Sequence, residues 1–292
     1  MQKKYHCIAL TGTPRHPNSL NTHETLYQWL TAKGYQVIVE KNVAANFNIK
    51  VAETASLNEI GEQADLAIVI GGDGNMLGAA RTLSDYDIDL IGVNRGTLGF
   101  LTALDPDDVE IQLEKVLAGH YQREHRFLLE VNVYQDGELL QTSKAVNEVV
   151  FHPNKVAHMI EFEVDINNQF AFAQRSDGLI ISTPTGSTAY CLSAGGPILT
   201  PGLNAMALVP MFPHTLTSRP IVIDGDSVIN LRATSYRSKL IVSCDSQTTI
   251  PLKKSYKVEV KRSQSTINLI QPDDYNYFDR LSSKLGWASK FF

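Results

Sequence analysis

The stretch Leu66-Ala67-Ile68-Val69-Ile70-Gly71-Gly72-Asp73-Gly74-Asn75-Met76-Leu77 decides how this chain is read. Its opening apolar run, Leu66 to Ile70, has the pattern of a strand buried on both faces, as in a parallel sheet. Three glycines around one aspartate follow, and from Asn75 to Leu83 apolar residues recur at helical spacing. A strand that ends in a glycine-rich turn and feeds a helix is a phosphate site in outline. Glycine lets the backbone approach an anion, and the helix start offers unpaired N–H groups to it. No Gly-Lys-Ser/Thr follows, so the turn is not a Walker A loop. Gly72-x-Gly74 matches the start of the dinucleotide fingerprint, but Leu77 takes the place of the third small residue. The next strand then ends in Asn94, where an acid for the ribose would stand. A structural turn explains one or two of these glycines but not an ionisable Asp73 among them. A carboxylate beside phosphates binds a metal or takes a proton, and phosphoryl transfer is the reading that follows.

Outward from this turn, Cys7 to Leu10 reads as a first buried strand ending in Thr11-Gly12-Thr13-Pro14-Arg15, a turn with one cation. Asn21 or Thr22 is the expected cap of a helix that Gly34 ends. Val37 to Val39 is the second strand, a helix spans Ser56 to Ala64, and Ile88 to Val93 is the strand after the central one. Asp105-Pro106 opens a further helix closed by Gly119. Strands alternating with helices predict a doubly wound, Rossmann-like α/β domain over residues 1–120. After that the pattern changes. Phe127 to Tyr134, the turn Asp136-Gly137 and Glu138 to Phe151 read as a hairpin and a further strand. Met159 to Ile166 alternates, and short strands are expected at 179–182, 207–210, 221–223, 227–233, 239–244, 256–261 and 266–270. This density predicts an all-β domain over residues 121–272, most simply a sandwich. The stretch 275–292 reads as an aromatic-rich helix that docks back onto the first domain.

Composition narrows the function classes. The 292 residues suffice for two domains, and the 43% hydrophobic and 20% charged content is that of a globular protein. A net charge of -5 argues against general affinity for nucleic acid or anionic membrane. The apolar runs fall short of the ~18 residues that span a bilayer, and no secretory signal is read at the start of the chain. Cys7, Cys191 and Cys244 form no CxxC pair, which suits a reducing cytoplasm. The histidines lack metal-ligand spacing, so any metal is expected to be a hard cation arriving with phosphate.

A second unusual stretch is Arg175-Ser176-Asp177-Gly178-Leu179-Ile180-Ile181-Ser182-Thr183-Pro184-Thr185-Gly186-Ser187-Thr188-Ala189-Tyr190. A strand runs into a turn dense in hydroxyls and then into a short helix. Ser187 or Thr188 as an N-cap accounts for one hydroxyl and leaves three to spare, which suits a polyhydroxy or phosphorylated ligand. Tyr190 can stack on a base or sit in a core. Asn147-Glu148 lies in the otherwise apolar strand 145–151. Adjacent residues face opposite ways, so at least one points inward, and a buried carboxylate needs a partner.

Gly71-Gly72-Asp73-Gly74, Asn147-Glu148, Asp177-Gly178 and Thr183 to Tyr190, in this order over nearly the whole chain, resemble the NAD kinases, closest to the ATP-using enzymes of Gram-negative bacteria. The glycine turn alone also resembles those of phosphofructokinases and diacylglycerol kinases. The run Thr-Pro-Thr-Gly-Ser-Thr-Ala-Tyr beside Asn-Glu is far more specific. The resemblance implies an α/β domain, a β-sandwich domain, a homodimer or homotetramer, and the reaction ATP + NAD → ADP + NADP with a divalent metal (Mg2+ or Mn2+). It makes Asp73 the general base for the adenosine ribose 2′-hydroxyl. Gly71, Gly72, Gly74 and Asn75 match the phosphate loop. Asn147 and Glu148 match the pair that holds the ribose and adenine region. Asp177, Thr185, Gly186, Ser187, Thr188, Ala189 and Tyr190 match further NAD contacts, with His158, Arg175 and Gln247 lining the same site. Arg175 is of the type that accompanies preference for oxidised NAD. Asn75 stands where many members have threonine, and Ser246 where many have glycine. Another hydroxyl kinase, a non-catalytic NAD(P) sensor and a dehydrogenase are the rivals. The carboxylate of Asp73 favours the enzyme over the sensor, and the incomplete fingerprint disfavours the dehydrogenase.

Overall fold

The computed structural model describes residues 4–14, 17–154, 159–235 and 239–287. The chain forms two compact units, one from Met1–His125 with Ile267–Phe292 and one from Arg126–Thr266. The first holds β1 (Cys7–Thr11), α1 (Pro17–Ala32), β2 (Gln36–Glu40), α2 (Lys41–Ala44), β3 (Thr54–Ala55), α3 (Leu57–Gln63), β4 (Leu66–Gly71), α4 (Asp73–Leu83), β5 (Asp89–Asn94) and α5 (Val109–Leu117). Its strands run parallel in the order β3-β2-β1-β4-β5, with residues 268–269 added alongside β5. Every residue of β1 and β4 is buried. Ile8, Leu10, Ile68 and Ile70 pack with Leu26 and Leu30 of α1 and Leu113 and Val116 of α5, while the alternate residues Ala9, Ala67 and Val69 are fully buried too. Burial on both faces is why β4 carries no polar alternation.

Local chemistry sets the helix limits. Ser56 closes a capping box with Glu59 at the start of α3. Helix α1 begins at Pro17, ahead of the expected cap at Asn21 or Thr22. Proline has no N–H to lose at a first helical position, and the Thr22 hydroxyl donates inside the helix to the Asn18 carbonyl at 3.0 Å. Helix α5 starts at Val109 rather than at Pro106, because the Asp105 carboxylate takes the Asp107 N–H at 3.0 Å and holds a turn there. Helix α4 begins at Asp73, two residues earlier than the apolar spacing suggested, which puts the carboxylate at the helix start.

The second unit is antiparallel. The chain enters it within β6 (Tyr121–Gln135) and continues through β7 (Glu138–Ala145), β8 (Glu148–Pro153), β9 (Ile160–Ile166), β10 (Gln169–Ser176) and β11 (Gly178–Ser182). A 3-10 turn at Gly186–Thr188 and the short α6 (Tyr190–Ser193) follow. Then come β12 (Ala205–Met211), β13 (Ile221–Asp224), β14 (Ile229–Ala233), β15 (Leu240–Cys244), β16 (Thr248–Leu252) and β17 (Tyr256–Pro272), within which the chain leaves. One layer contains β10-β9-β14-β17 with β6 and β7, and the other runs β13-β12-β11-β8-β15-β16. Phe151, Leu179 and Val242 of the second layer share a core with Phe162, Leu231 and Val260 of the first. This is a two-layer β architecture, the sandwich that the spacing predicted. The sequence reading missed β16, an edge strand interrupted by Pro251, where a missing N–H does no harm. The last helix, α7 (Tyr277–Leu285), is capped by Asn276 and ended by Gly286.

The Phe151 ring meets Phe162 edge-on at 5.6 Å between the layers, and both are fully buried. Phe151→Ala should therefore lower the unfolding free energy by about 3–5 kcal/mol. Ile111→Ala, at a side chain 62% exposed, should change it by less than about 0.5 kcal/mol. Urea unfolding followed by circular dichroism checks both.

Candidate functional site

In the first unit, the C-terminal ends of β1, β4 and β5 surround a cavity of about 290 Å³. It is bordered by Gly71 to Asn75, by the loop after β5 (Arg95, Gly96, Thr97, Gly99), by Thr13 and Ser19, and by Lys284 of α7. Ligands of parallel α/β sheets bind at this end of the strands. Gly71 adopts φ +151, and a Cβ there would lie 2.1 Å from the Asn75 amide, so the turn needs glycine. Gly72, Gly74 and Gly96 differ: a Cβ on any of them would meet nothing within 4 Å. Packing does not require these three. With no side chain at these positions, a ligand can approach the backbone of the turn closely.

Asp73 is held rather than free. One carboxylate oxygen accepts the Phe100 N–H at 2.9 Å and the other accepts the Leu101 N–H at 3.0 Å. Gly99 makes this possible, because a Cβ there would stand 2.2 Å from the Asp73 carboxylate and 2.5 Å from the Thr102 hydroxyl. Asn75 donates from its amide to the carbonyls of Thr13 (3.1 Å) and Ile70 (3.3 Å), tying the turn to the loop after β1. In place of a threonine hydroxyl, this chain has a brace between two loops. That loop is itself anchored by the buried Glu40, which accepts the Thr11 hydroxyl at 2.5 Å and the Gly12 N–H at 3.3 Å.

In the second unit, Asn147 and Glu148 are both buried. Asp245 gathers the N–H groups of Val146 (2.9 Å), Asn147 (2.8 Å) and Glu148 (3.3 Å) on its carboxylate. Burial first, and then the charge of Asp245, push the Glu148 carboxyl up to about 8, against the pull of the Tyr190 backbone N–H. One oxygen of Glu148 is buried without a hydrogen-bond partner among the described residues. A buried polar atom left unpaired is costly, and a ligand group is the natural partner.

The hydroxyl-rich turn lies directly on Asn147: a Cβ on Gly186 would be 2.2 Å from the Asn147 carbonyl oxygen. Its hydroxyls are not spare, contrary to the sequence reading. Thr183 donates to the Val146 carbonyl at 2.7 Å and takes the Gly186 N–H at 3.1 Å. Ser187 donates to the Pro184 carbonyl at 2.7 Å and takes the Leu199 N–H at 3.0 Å. Thr188 reaches the Thr185 carbonyl, and Thr185 accepts from Arg126, each at 3.4 Å. No side chain caps either short helix. The hydroxyls shape the turn, and its open parts are Tyr190, 41% exposed, and the half-buried Thr185, Thr188 and Ala189. Asp177 is half-buried between β10 and β11; Arg175 is exposed and 3.7 Å from Glu161; Gln247 is exposed. Asp245 and Ser246 both have positive φ, +51 and +54, a conformation that explains the glycine common at Ser246. His158 lies outside the described residues. The sequence reading missed Ser19, Arg95, Gly99, Phe100, Leu101, Asp245 and Lys284. For the loop after β5 a signal existed: Asn94-Arg95-Gly96-Thr97-Leu98-Gly99 is a second glycine turn at the end of a parallel strand.

Two family models match the chain, the ATP-NAD kinase N-terminal domain over residues 8–121 and the ATP-NAD kinase C-terminal domain over residues 146–272. Among curated relatives, the NAD kinase of Edwardsiella ictaluri is 62% identical and that of Escherichia coli O1:K1 is 60% identical, each over 100% of both chains. Among solved structures, yeast NADH kinase complexed with NADH superposes with a TM-score of 0.88 at 25% identity, covering 100% of this chain and 90% of that one. An Archaeoglobus fulgidus NAD kinase in complex with ATP gives 0.74 at 23% identity, covering 96% and 98%.

Two outcomes follow from this geometry. Gly99→Ala should displace the Asp73 carboxylate from its N–H pair and lower turnover by tenfold or more, roughly the effect of a 1 Å misplacement or greater, with a folded circular-dichroism spectrum retained. For Glu148, the folded carboxyl titrates at about 8 against an ordinary 4.5. Between those values the folded protein keeps a proton that the unfolded chain releases, so stability falls as pH rises, by at most ~1.4 kcal/mol per unit, and levels off above. Glu148→Gln should remove that slope. Urea unfolding from pH 5 to 9 should show the variant gaining on the wild type up to about pH 8.

Proposed function

The chain belongs to the NAD kinase family, and from that premise we propose how its residues divide the transfer of phosphate from ATP to NAD. The reaction phosphorylates the 2′-hydroxyl of the adenosine ribose and yields NADP and ADP. A secondary hydroxyl is a poor nucleophile near neutral pH, so a positioned acceptor for its proton assists as the bond to phosphorus forms. Asp73 serves as this general base. Each of its oxygens spends one lone pair on a backbone N–H and keeps another for the hydroxyl proton. The glycines at 72, 74 and 96, bare without a packing reason, admit the phosphates to the N–H groups beside it. The observation that carries the reading is this fixed carboxylate among open glycines.

Glu148 and Asn147 hold the ribose and adenine region. A protonated Glu148 both donates and accepts, which suits the hydroxyl and ring-nitrogen groups of a nucleoside. The exposed Tyr190 offers a ring face to a base, with Thr185, Gly186, Ser187, Thr188 and Ala189 forming the turn around it. Asp177, Arg175, His158 and Gln247 add contacts to the dinucleotide, Arg175 favouring its oxidised form.

Among the described residues, no group of three or more His, Cys, Asp or Glu could hold a metal ion. Asp73 is the carboxylate at the phosphate cavity. This donor set fits a hard divalent cation, Mg2+ or Mn2+, that keeps mostly phosphate and water ligands. Such a cation would supply charge neutralisation on the phosphate oxygens. Cys7, Cys191 and Cys244 are buried free thiols, which fits a reducing cytoplasm. No helix among the described residues is long and apolar enough to cross a membrane. Exposed Phe170, Phe212, Leu216 and Val222 give the second unit apolar surface for a homodimer or homotetramer.

The test is incubation with NAD, ATP and magnesium, with NADP read by an NADP-specific dehydrogenase. Asp73→Asn should lose about 10²–10⁴ of turnover while NAD binding by calorimetry persists. Asparagine also turns an NH2 toward one of the two backbone donors, so Gly99→Ala, which disturbs the brace and keeps the carboxylate, is measured beside it. An undiminished rate removes the general-base assignment.

A further inference from the structure

The cavity in the first unit holds more positive charge than the glycine turn needs. Arg95 and Lys284 both border it, and Asp73, already engaged by two N–H groups, is its single carboxylate among the described residues. Arg95 is fixed by one edge: its Nε donates to the Thr22 hydroxyl at 2.6 Å, and that hydroxyl donates in turn to the Asn18 carbonyl. The terminal guanidinium nitrogens carry four further N–H groups. Lys284 reaches back from α7, donates to the Leu98 carbonyl at 2.5 Å and lies 5.0 Å from the centre of the Phe100 ring. It therefore sits over the same loop that grips Asp73, with two donors left. Lys284 stands beyond the residues matched by either family model.

A third group points to a ligand independently. Ser19 borders the cavity and is 5% exposed, yet its hydroxyl has no hydrogen-bond partner among the described residues. Together with three glycines that no packing requires, these groups describe a site for a polyanion: cations for charge, a hydroxyl and backbone N–H groups for the oxygens. The Glu148 site of the second unit is of opposite chemistry, with the carboxyls of Glu148 and Asp245 and a buried Arg126 directed at Thr185. Neutral hydroxyl and amino groups suit that site, and a chain of phosphates suits this one.

We propose that Arg95, Lys284 and Ser19 bind the triphosphate of the donor nucleotide, so that α7 contributes a donor-binding cation. This rests on the preceding reading that the reaction consumes a nucleoside triphosphate. Arg95 also borders a neighbouring cavity lined by Asp107, Asp108 and Glu110. No ion pair joins them among the described residues, and that contact would predict a purely structural role.

The test uses the full chain and inorganic tripolyphosphate as the probe in calorimetry, beside KM for ATP and for NAD. Arg95→Gln and Lys284→Gln should each weaken tripolyphosphate binding about ten- to hundredfold and raise KM for ATP to match. KM for NAD should stay within about twofold. Arg95→Lys should recover part of the loss, since it restores charge without the fork. Ser19→Ala should give a smaller shift of the same sign. Should Arg95→Gln fold poorly, the Lys284 variant carries the test, because that side chain is exposed. Unchanged tripolyphosphate affinity in both Gln variants, or a rise confined to KM for NAD, overturns the proposal. The two readings fail separately. A wild type that makes NADP while its variants bind tripolyphosphate normally loses only this subsite. A wild type that makes no NADP yet binds tripolyphosphate through Arg95 and Lys284 loses the reaction and keeps the subsite.

Discussion

The Asp73 carboxylate is gripped by the N–H groups of Phe100 and Leu101, and the architecture of the first unit's site follows from that grip. Asp73 opens α4, where helix N–H groups favour negative charge. The loop after β5 must then turn back far enough to present two consecutive N–H groups. It does so by lying flat on β5. Gly92 leaves the strand bare there, since a Cβ would stand 2.8 Å from the Leu101 carbonyl oxygen and the Thr102 Cα. Leu104 donates to the Gly92 carbonyl at 3.0 Å and Asn94 to the Leu104 carbonyl at 2.9 Å, so the returning chain is itself pinned. A second bare position, Gly99, lets the carboxylate approach. The result is a charged group whose direction is set by backbone, the most rigid support a side chain can have.

The second unit uses carboxylates differently. Asp245 accepts three N–H groups from one short segment and so fixes the backbone of Val146, Asn147 and Glu148. Its charge then disfavours a second charge on Glu148, which is also desolvated. One carboxyl acts as a brace, and the other is left neutral near pH 7 with an unpaired oxygen. Neighbouring carboxyls whose environments separate their roles in this way mark functional sites.

What could be read from the sequence was what is local. The buried run before Gly71 announces a central parallel strand because both faces of each residue are covered. Glu148 betrays itself as a carboxylate among valines. The partners of these groups are distant in the chain. Asp73 meets residues 100 and 101, and Glu148 meets Asp245, through register and loop return that no spacing encodes. The same holds for hydroxyls. Thr183 looks free because its acceptor at Val146 is 37 residues away in the chain, and Ser187 because the Leu199 N–H that it takes comes from beyond α6. Lys284 reads as one more charge on an amphipathic helix, and only its bond to Leu98 gives it a place.

On the proposed reading, the chemistry of the two sites divides the recognition of a dinucleotide from the handling of phosphate. A phosphate chain carries several negative charges and is strongly hydrated, so a site for it must offer charge and many donors at little reorganisation. The first unit does this with backbone N–H groups, whose directions are set by Gly71 and by the Asn75 brace, and adds Arg95 and Lys284 at the rim. A nucleoside carries no charge and is distinguished by where its donors and acceptors lie. A buried carboxyl held neutral suits that task, because it rejects a group that leaves its oxygen unpaired. A carboxylate in the first setting survives only if it is oriented and partly satisfied before the phosphates arrive. The two N–H groups on Asp73 meet that condition, and they leave each oxygen a lone pair, the capacity that the proposed general-base role draws on.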